Sequence, residues 1–281
     1  MEKVIDVKKL VEENKKDLKE RVEKLRQKGI TPKMTVILAN DNEESVIYVG
    51  KKEKVCAELG IISETIILNK NVTNEELLNQ IDRLNKDSSV HGILVQMPLF
   101  RHLDENKCIQ KIDPNKDVDG LNPINIGKLV MGLDTVVPCT AKGVMKILEY
   151  IGIEPEGKKV AILGRSLLVG KPVYSLMLNQ NAQVQICHTK TVNTKEVAKA
   201  ADILIVAIGK PKYINEEYVK NGATVIDVGI NRLENGKIVG DVDLDKVIDK
   251  VQYITKVPGG VGLTTVVSLC ENLIELIEKN C

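Results

Sequence analysis

Tyr48 and Lys52 stand four positions apart near the front of a helical pattern that runs from about Glu44 to Leu59. In an α-helix, residues i and i+4 lie one above the other on a single face. A phenol and a primary amine, both able to move protons, would then point into the same space. Spacing alone also fits a solvated face, because lysine is usually exposed. The pair gains chemistry only if other elements build a pocket around it.

Further groups qualify as such elements. Val160–Leu163 is an apolar strand ending in Gly164, and the loop after it closes at Gly170, where Lys171-Pro172 opens a helix. Backbone N–H groups and the dipole at a helix start favour an anion. The loop is neither Gly-x-Gly-x-x-Gly nor a P-loop, since Arg165 and Pro172 stand where the P-loop needs Gly and Ser/Thr. The next strand ends in Cys187-His188-Thr189-Lys190-Thr191, with no acid for a ribose diol. Arg165, His188, Thr189 and Lys190 suit a 2′-phosphate, so the pattern leans to NADP with NAD as the alternative. Gln96 ends an apolar strand, and Asp117 and Asp119 follow in a loop that could equally be a solvated Asx turn. Pro258-Gly259-Gly260-Val261-Gly262 permits close backbone approach to a ligand, or a hinge.

The elements that must position these groups alternate. A helix over 7–28 precedes a strand at Met34–Ala39. The helix bearing Tyr48 and Lys52 leads to a strand at Glu64–Leu68. A helix from Thr73, with Glu76 completing a capping box, leads to a strand at Val90–Pro98. A weaker helix is expected around 104–112. Residues 122–138 read as an irregular junction. Thr140 is a candidate N-cap for a helix to Tyr150. Strands at 160–164, 183–187, 202–209 and 223–229 alternate with helices, which is the grammar of a doubly wound nucleotide-binding sheet. A last helix is expected from Leu263 to Lys279.

Composition narrows the function. The net charge of +1 gives no basic excess for nucleic acid or an anionic membrane. No apolar run approaches the roughly 18 to 20 residues needed to span a bilayer. Met1–Asp6 has no apolar signal core, and a cytoplasmic protein is expected. The cysteines at 56, 108, 139, 187, 270 and 281 form no Cys-x-x-Cys pair, and with His91, His102 and His188 they make no zinc spacing. With no Trp and Phe100 the one Phe, the core must be aliphatic.

Several runs together resemble the bifunctional methylenetetrahydrofolate dehydrogenase/methenyltetrahydrofolate cyclohydrolases. They are Ser-x-x-Tyr-x-x-x-Lys at 45–52, His-Gly-x-Leu-Val-Gln-x-Pro at 91–98, Lys-Asp-Val-Asp-Gly-Leu at 116–121 and Pro-Cys-Thr at 138–140. Gly-Arg-Ser-x-x-Val-Gly-x-Pro at 164–172, Cys-His-Thr-Lys-Thr at 187–191 and Pro-Gly-Gly-Val-Gly at 258–262 continue the series in the family's order. Tyr-x-x-x-Lys also occurs in short-chain dehydrogenases, but there the cofactor glycines come first. The sequence departs from the family pattern at Leu263, where a proline is usual, at Thr189 in place of Ser, and at Ala39-Asn40 in place of Val-Gly. Thr keeps the hydroxyl, and Leu263 removes no polar group.

The resemblance implies an α/β protein with a three-layer catalytic lobe, a Rossmann-like NAD(P)-binding lobe and a cleft between them. Residues 1–137, completed by the C-terminal helix 263–281, would bind folate, and residues 138–262 would bind the dinucleotide. A homodimer is implied. The folate would meet Tyr48, Lys52, Val95, Gln96, Met97, Asp119 and the 258–262 run. Its ring system would stack on Tyr48, and Asp119 would accept from the pterin N–H groups. NADP would meet Gly164, Arg165, Ser166, Gly170, His188, Thr189 and Ile230, and no metal is suggested. The implied reactions are oxidation of 5,10-methylenetetrahydrofolate and hydrolysis of the methenyl product to 10-formyltetrahydrofolate. Lys52 would handle the proton of hydrolysis if desolvation or the cationic substrate lowers its pKa. Gln96 would hold that amine without neutralising it. A dehydrogenase without hydrolysis and a non-catalytic nucleotide-binding protein are the alternatives; Lys52 speaks against the former.

Overall fold

The computed structural model describes residues 3–280; Met1, Glu2 and Cys281, which belong to the N-terminal, C-terminal and cysteine expectations above, lie outside the described residues. In chain order the first half is α1 (Val7–Gln27), β1 (Lys33–Leu38), α2 (Glu43–Leu59), β2 (Ile62–Ile67), α3 (Asn74–Lys86), β3 (Gly92–Gln96) and α4 (Glu105–Lys111). Then come α5 (Pro123–Val130), α6 (Cys139–Tyr150), β4 (Lys159–Leu163), α7 (Gly170–Asn179), β5 (Gln183–Cys187), α8 (Thr194–Ala200), β6 (Ile203–Val206) and β7 (Thr224–Asp227). The chain finishes with β8 (Asn231–Arg232), β9 (Ile238–Val239), α9 (Leu244–Val247), β10 (Tyr253–Ile254) and α10 (Val261–Asn280). Among the described residues, no helix is long and apolar enough to cross a membrane.

The residues group into two compact units. One holds Glu13–Lys128, Asp134–Val137 and the chain from Val266 on; the other holds the chain up to Glu12, Leu129–Leu133 and Pro138–Thr265. The first contains a three-stranded parallel sheet in the order β2-β1-β3. Central β1 is buried from Met34 to Leu38, whereas edge strand β2 alternates between exposed and half-buried residues. That contrast is what a strand covered on both faces and a strand at the rim require. The chain crosses from β1 to β2 and returns past β1 to β3, so right-handed crossovers place α2 and α3 on opposite faces. On the α3 face, Ile37, Ala39, Ile93 and Val95 pack with Leu77, Ile81 and Leu84. Each of the Ile, Val and Leu side chains among them contributes roughly 1.5–3 kcal/mol on burial.

The second unit contains a five-stranded parallel sheet in the order β10-β7-β6-β4-β5. Its inner strands β6 and β7 are buried throughout, and its edge strand β5 shows exposed Gln183 and Gln185. β8 and β9 form a small antiparallel hairpin that the sequence pattern did not mark.

Asn42 caps α2 and left-handed Gly60 ends it, and at α3 Thr73 and Glu76 form the expected capping box. Three expectations need correction. The irregular 122–138 junction contains α5. Asn122 Oδ1 accepts from the Ile124 N–H at 2.9 Å, and Pro123 takes the first helical position, where its missing N–H costs nothing. Thr140 is not an N-cap. It lies inside α6, and Pro138 holds the cap position with no side-chain bond. The last helix begins at Val261 rather than Leu263, so Val261 and Gly262 form its first turn.

Candidate active site

Both sheets have the same local topology around their first strand: β1 lies between β2 and β3, and β4 between β5 and β6. In open α/β sheets such a reversal of direction leaves a crevice outside the carboxyl ends of the strands. Gln96, with Lys52 and Tyr48 beside it, falls at the first of these places, and Gly164, Gly170 and the turn after Cys187 fall at the second.

In the three-stranded unit, α2 buries one stripe: Ser45, Val49, Lys52, Cys56 and Leu59. Lys52 is on it and only 6% exposed, which rules out the solvated-face reading of the Tyr48/Lys52 spacing. Its Nζ donates to Gln96 Oε1 at 2.7 Å and lies 4.7 Å from the centre of the half-buried Tyr48 ring. Gln96 ends β3 on the face opposite Val95. Its Nε2 donates to the Met97 carbonyl at 2.7 Å, which turns Oε1 toward the amine. The amine therefore has a neutral acceptor and an aromatic face beside it, both favourable to a cation. Val95 and Met97 pack into the apolar cluster on the α3 side, so what they offer at the Gln96 end of the strand is backbone.

The two loop aspartates separate. Asp117 is buried, and its carboxylate accepts from the Gly120 and Asn122 N–H groups at 3.0 and 2.8 Å and from Asn125 Nδ2 at 2.9 Å. It ties its own loop together as an Asx turn does, but in the interior rather than in solvent. Burial holds its pKa above the ordinary carboxylate value. Asp119 is half-buried.

Asn40, which the sequence marks as a departure from the family pattern, also belongs to this strand end. Its Nδ2 donates to the Pro98 carbonyl at 2.6 Å and its Oδ1 accepts from the Asn42 N–H at 3.0 Å. It ties the end of β1 to the segment after Gln96, a tie that the family's glycine at this position lacks the side chain to make. Its departure from the family pattern was the signal in the sequence.

In the five-stranded unit the strand end is bare backbone. Gly164 has φ +117° and its N–H donates to the Cys187 carbonyl at 2.9 Å. A Cβ on Gly164 would collide with the Ala207 carbonyl, and one on Gly170 with the Gly164 carbonyl. Only glycine lets the ends of β4 and β6 and the start of α7 come this close, and the surface they leave lets a ligand approach main chain. The expected helix-start donors are partly in use: Ser166 Oγ accepts from the Val169 N–H at 3.2 Å, and its carbonyl accepts from the Lys171 N–H at 3.0 Å. Arg165 is exposed. After β5, His188 is half-buried and its Nδ1 accepts from the Lys190 N–H at 3.1 Å, which leaves the Nε2 proton as its donor; Thr189 and Lys190 are exposed. This cradle fits a dinucleotide phosphate approaching main chain.

The 258–262 run lies in the same unit, with Gly259 at φ +105° and exposed Pro258 leading into α10. Ile230 is 63% exposed, and its Cδ1 would lie 3.3 Å from a Cβ on Gly262. Leu263 donates its N–H to the Gly260 carbonyl at 2.9 Å, a bond that the usual proline lacks the hydrogen to make.

The family models for the tetrahydrofolate dehydrogenase/cyclohydrolase catalytic domain and NAD(P)-binding domain match residues 5–119 and 138–281. The chain belongs to the tetrahydrofolate dehydrogenase/cyclohydrolase family. Within it, the chain is 49% identical over 270 residues to the bifunctional protein FolD of Bacillus mycoides, covering 96% of this chain and 94% of that one. The crystal structure of the bifunctional FolD dehydrogenase/cyclohydrolase from Campylobacter jejuni aligns with a TM-score of 0.97 at 46% identity, covering 99% of both chains. The Trypanosoma brucei enzyme, crystallised with NADP cofactor and an inhibitor, aligns at 0.94 and 37% identity over 99% of this chain and 97% of that one. As a family member this protein is an α/β oxidoreductase and hydrolase with a NADP-binding domain.

Proposed function

We propose that this protein oxidises 5,10-methylenetetrahydrofolate with NADP⁺ and hydrolyses the methenyl product to 10-formyltetrahydrofolate. The observation that carries this reading is the buried Lys52 amine held 2.7 Å from Gln96 Oε1 and over Tyr48 at the carboxyl end of β3. Tyr48 offers a face on which a flat ring can stack. Asp119 is assigned to the pterin N–H groups, and the backbone of Val95, Met97 and Pro258–Gly262 to further contacts with the folate. In hydrolysis, a water oxygen bonds to the methenyl carbon and that water loses one proton. The bond from this carbon to one ring nitrogen then breaks, its electron pair staying on the nitrogen, which takes up a proton. The hydroxyl proton leaves and the oxygen becomes the formyl C=O, so that one proton is released overall. Lys52 is assigned the proton, and Gln96 the task of orienting the amine by a contact that carries no negative charge.

When bound, NADP⁺ supplies hydride acceptance. Gly164 and Gly170 are assigned its main-chain approach, with Arg165, Ser166, His188, Thr189 and Ile230 as side-chain contacts. The lack of an acid after Cys187 supports NADP over NAD. We assign residues 1–137 with the C-terminal helix to folate and residues 138–262 to the dinucleotide, in a cytoplasmic homodimer. Resemblance to the family supports that assembly.

The test is to add 5,10-methylenetetrahydrofolate and NADP⁺ and follow reduced cofactor, methenyl and 10-formyl products together. Reduced cofactor and methenyl product should appear together, one for one, and the 10-formyl product after them. Reduced cofactor with persistent methenyl product would leave a dehydrogenase alone, and no absorbance change would sink the reading.

A further inference from the structure

Two buried carboxylates that this chemistry does not use lie in the five-stranded unit. Asp227 is the last residue of β7 and is 3% exposed; Asp241, after β9, is fully buried. Asp227 accepts from the N–H groups of Gly229, Asp241 and Val242 at 3.0, 3.1 and 2.9 Å. Asp241 accepts from the N–H groups of Ile208, Gly209 and Lys210 at 2.7, 3.0 and 2.8 Å, and from Asn231 Nδ2 at 2.9 Å. The two are chained, because the Asp241 N–H is one of the donors to Asp227. A Cβ on Gly229 would collide with the Asp241 carboxylate, and one on Gly240 with that of Asp227, so backbone is pressed against both.

Burying two charges is costly unless each is fully bonded. Among the described residues neither makes an ion pair, and every bond each carboxylate accepts comes from a loop N–H group or Asn231. The donors at 208–210 follow β6, Gly229 and Asn231 follow β7, and the Asp241 and Val242 N–H groups follow β9. The sheet order β7-β6-β4-β5 sets the loops after β6 and β7 on one side of Gly164 and the His188 turn on the other. If the end of β5 receives the adenosine ribose, the rest of a bound dinucleotide runs past Gly164 toward the ends of β6 and β7. Ile230 projects there, 63% exposed, between Gly229 and Asn231, both of which the carboxylates hold.

We propose that Asp227 and Asp241 are positioning residues for the cofactor, fixing the 208–210 and 229–231 loops so that Ile230 and the main chain at the end of β6 form a rigid wall against its nicotinamide half. This rests on the dehydrogenase reading above. Preorganisation of such a wall raises affinity by removing the cost of ordering it on binding. Burial pushes the Asp227 pKa up to about 6. It is faced by Asp241, and it lines a cavity of about 190 Å³ together with Lys212, Lys237, Asp245 and Lys256.

Two variants test the pair. Asp241→Asn sets an amide NH2 against backbone N–H donors, and Asn231→Ala removes one tie while leaving both carboxylates in place. The readouts are the calorimetric Kd for NADP⁺, the dehydrogenase KM for NADP⁺, and the hydrolysis rate with methenyl substrate supplied directly. We expect Kd and KM for NADP⁺ to rise about tenfold in Asp241→Asn and about threefold in Asn231→Ala, with hydrolysis within twofold of wild type. Should Asp241→Asn fail to fold, Asn231→Ala decides. An unchanged Kd in Asn231→Ala, or equal loss of NADP⁺ binding and hydrolysis, overturns the pair's role and leaves the functional reading intact. A wild type that binds no NADP⁺ overturns both.

Discussion

The ends of β1 and β3 and the ends of β4 and β6 have the same topology but opposite surfaces. At the first, side chains converge: Lys52 and Tyr48 come from α2, the helix that follows β1, and Gln96 from the last position of β3. At the second, side chains are absent where they would matter most, since Gly164 ends the strand and Gly170 starts the helix. The difference follows from the tasks proposed for them. Moving a proton during hydrolysis needs an ionisable group held in a defined place. Holding a cofactor that brings its own chemistry needs main chain close to it and nothing in the way.

This contrast predicts that side-chain removal damages one site and side-chain addition the other. Lys52→Met should have the largest effect. The hydrolysis rate is expected to fall about a thousandfold, or about 4 kcal/mol in barrier, while NADP⁺ affinity stays within twofold. Hydrolysis at the wild-type rate would remove Lys52 from its role. Gly170→Ala should do the reverse. The new Cβ meets the Gly164 carbonyl and the Arg165 backbone, a collision expected to cost about 3 kcal/mol of stability and most NADP⁺ affinity. Melting and NADP⁺ titration read it, and an unchanged Kd would show that the cradle is wider than the collision implies.

The smallest effect concerns a likeness between the units. Each ties a loop with a buried aspartate, Asp117 in one and Asp227 in the other, and burial raises both pKa values. For Asp227 the folded value of about 6 lies above the ordinary 3.8. The folded state thus holds the proton more tightly between these values. The stabilisation is complete below about pH 4 and is lost as pH rises through about 6. Wild type should therefore exceed Asp227→Asn in unfolding free energy by about 1 kcal/mol more at pH 5 than at pH 7.5. A larger advantage at pH 7.5 would contradict the assignment.

Much of this was legible in the residues because it is local. Continuous apolar runs marked the buried strands β1, β4 and β6, and the alternation of polar and apolar residues in β5 matched its place at an edge. Thr73 and Glu76 announced the start of α3. Asn122-Pro123 also announced a helix, but Gly127 and the short length of α5 hid it. The motif order identified the family, and the Tyr48/Lys52 spacing put the two side chains on one helix face. Spacing did not say which face. That depended on the crossover that lays α2 against the sheet face carrying Gln96, with Val95 turned to the other side. The same holds for Asp117, which on sequence could equally have been solvated, and for Asp227 and Asp241, whose partners come from the ends of other strands. Local patterns decide which elements form, because capping and periodicity act within a few residues. Which polar side chains are buried, and against what, is decided when distant segments pack, and only there did Lys52 change from a surface lysine into a held amine.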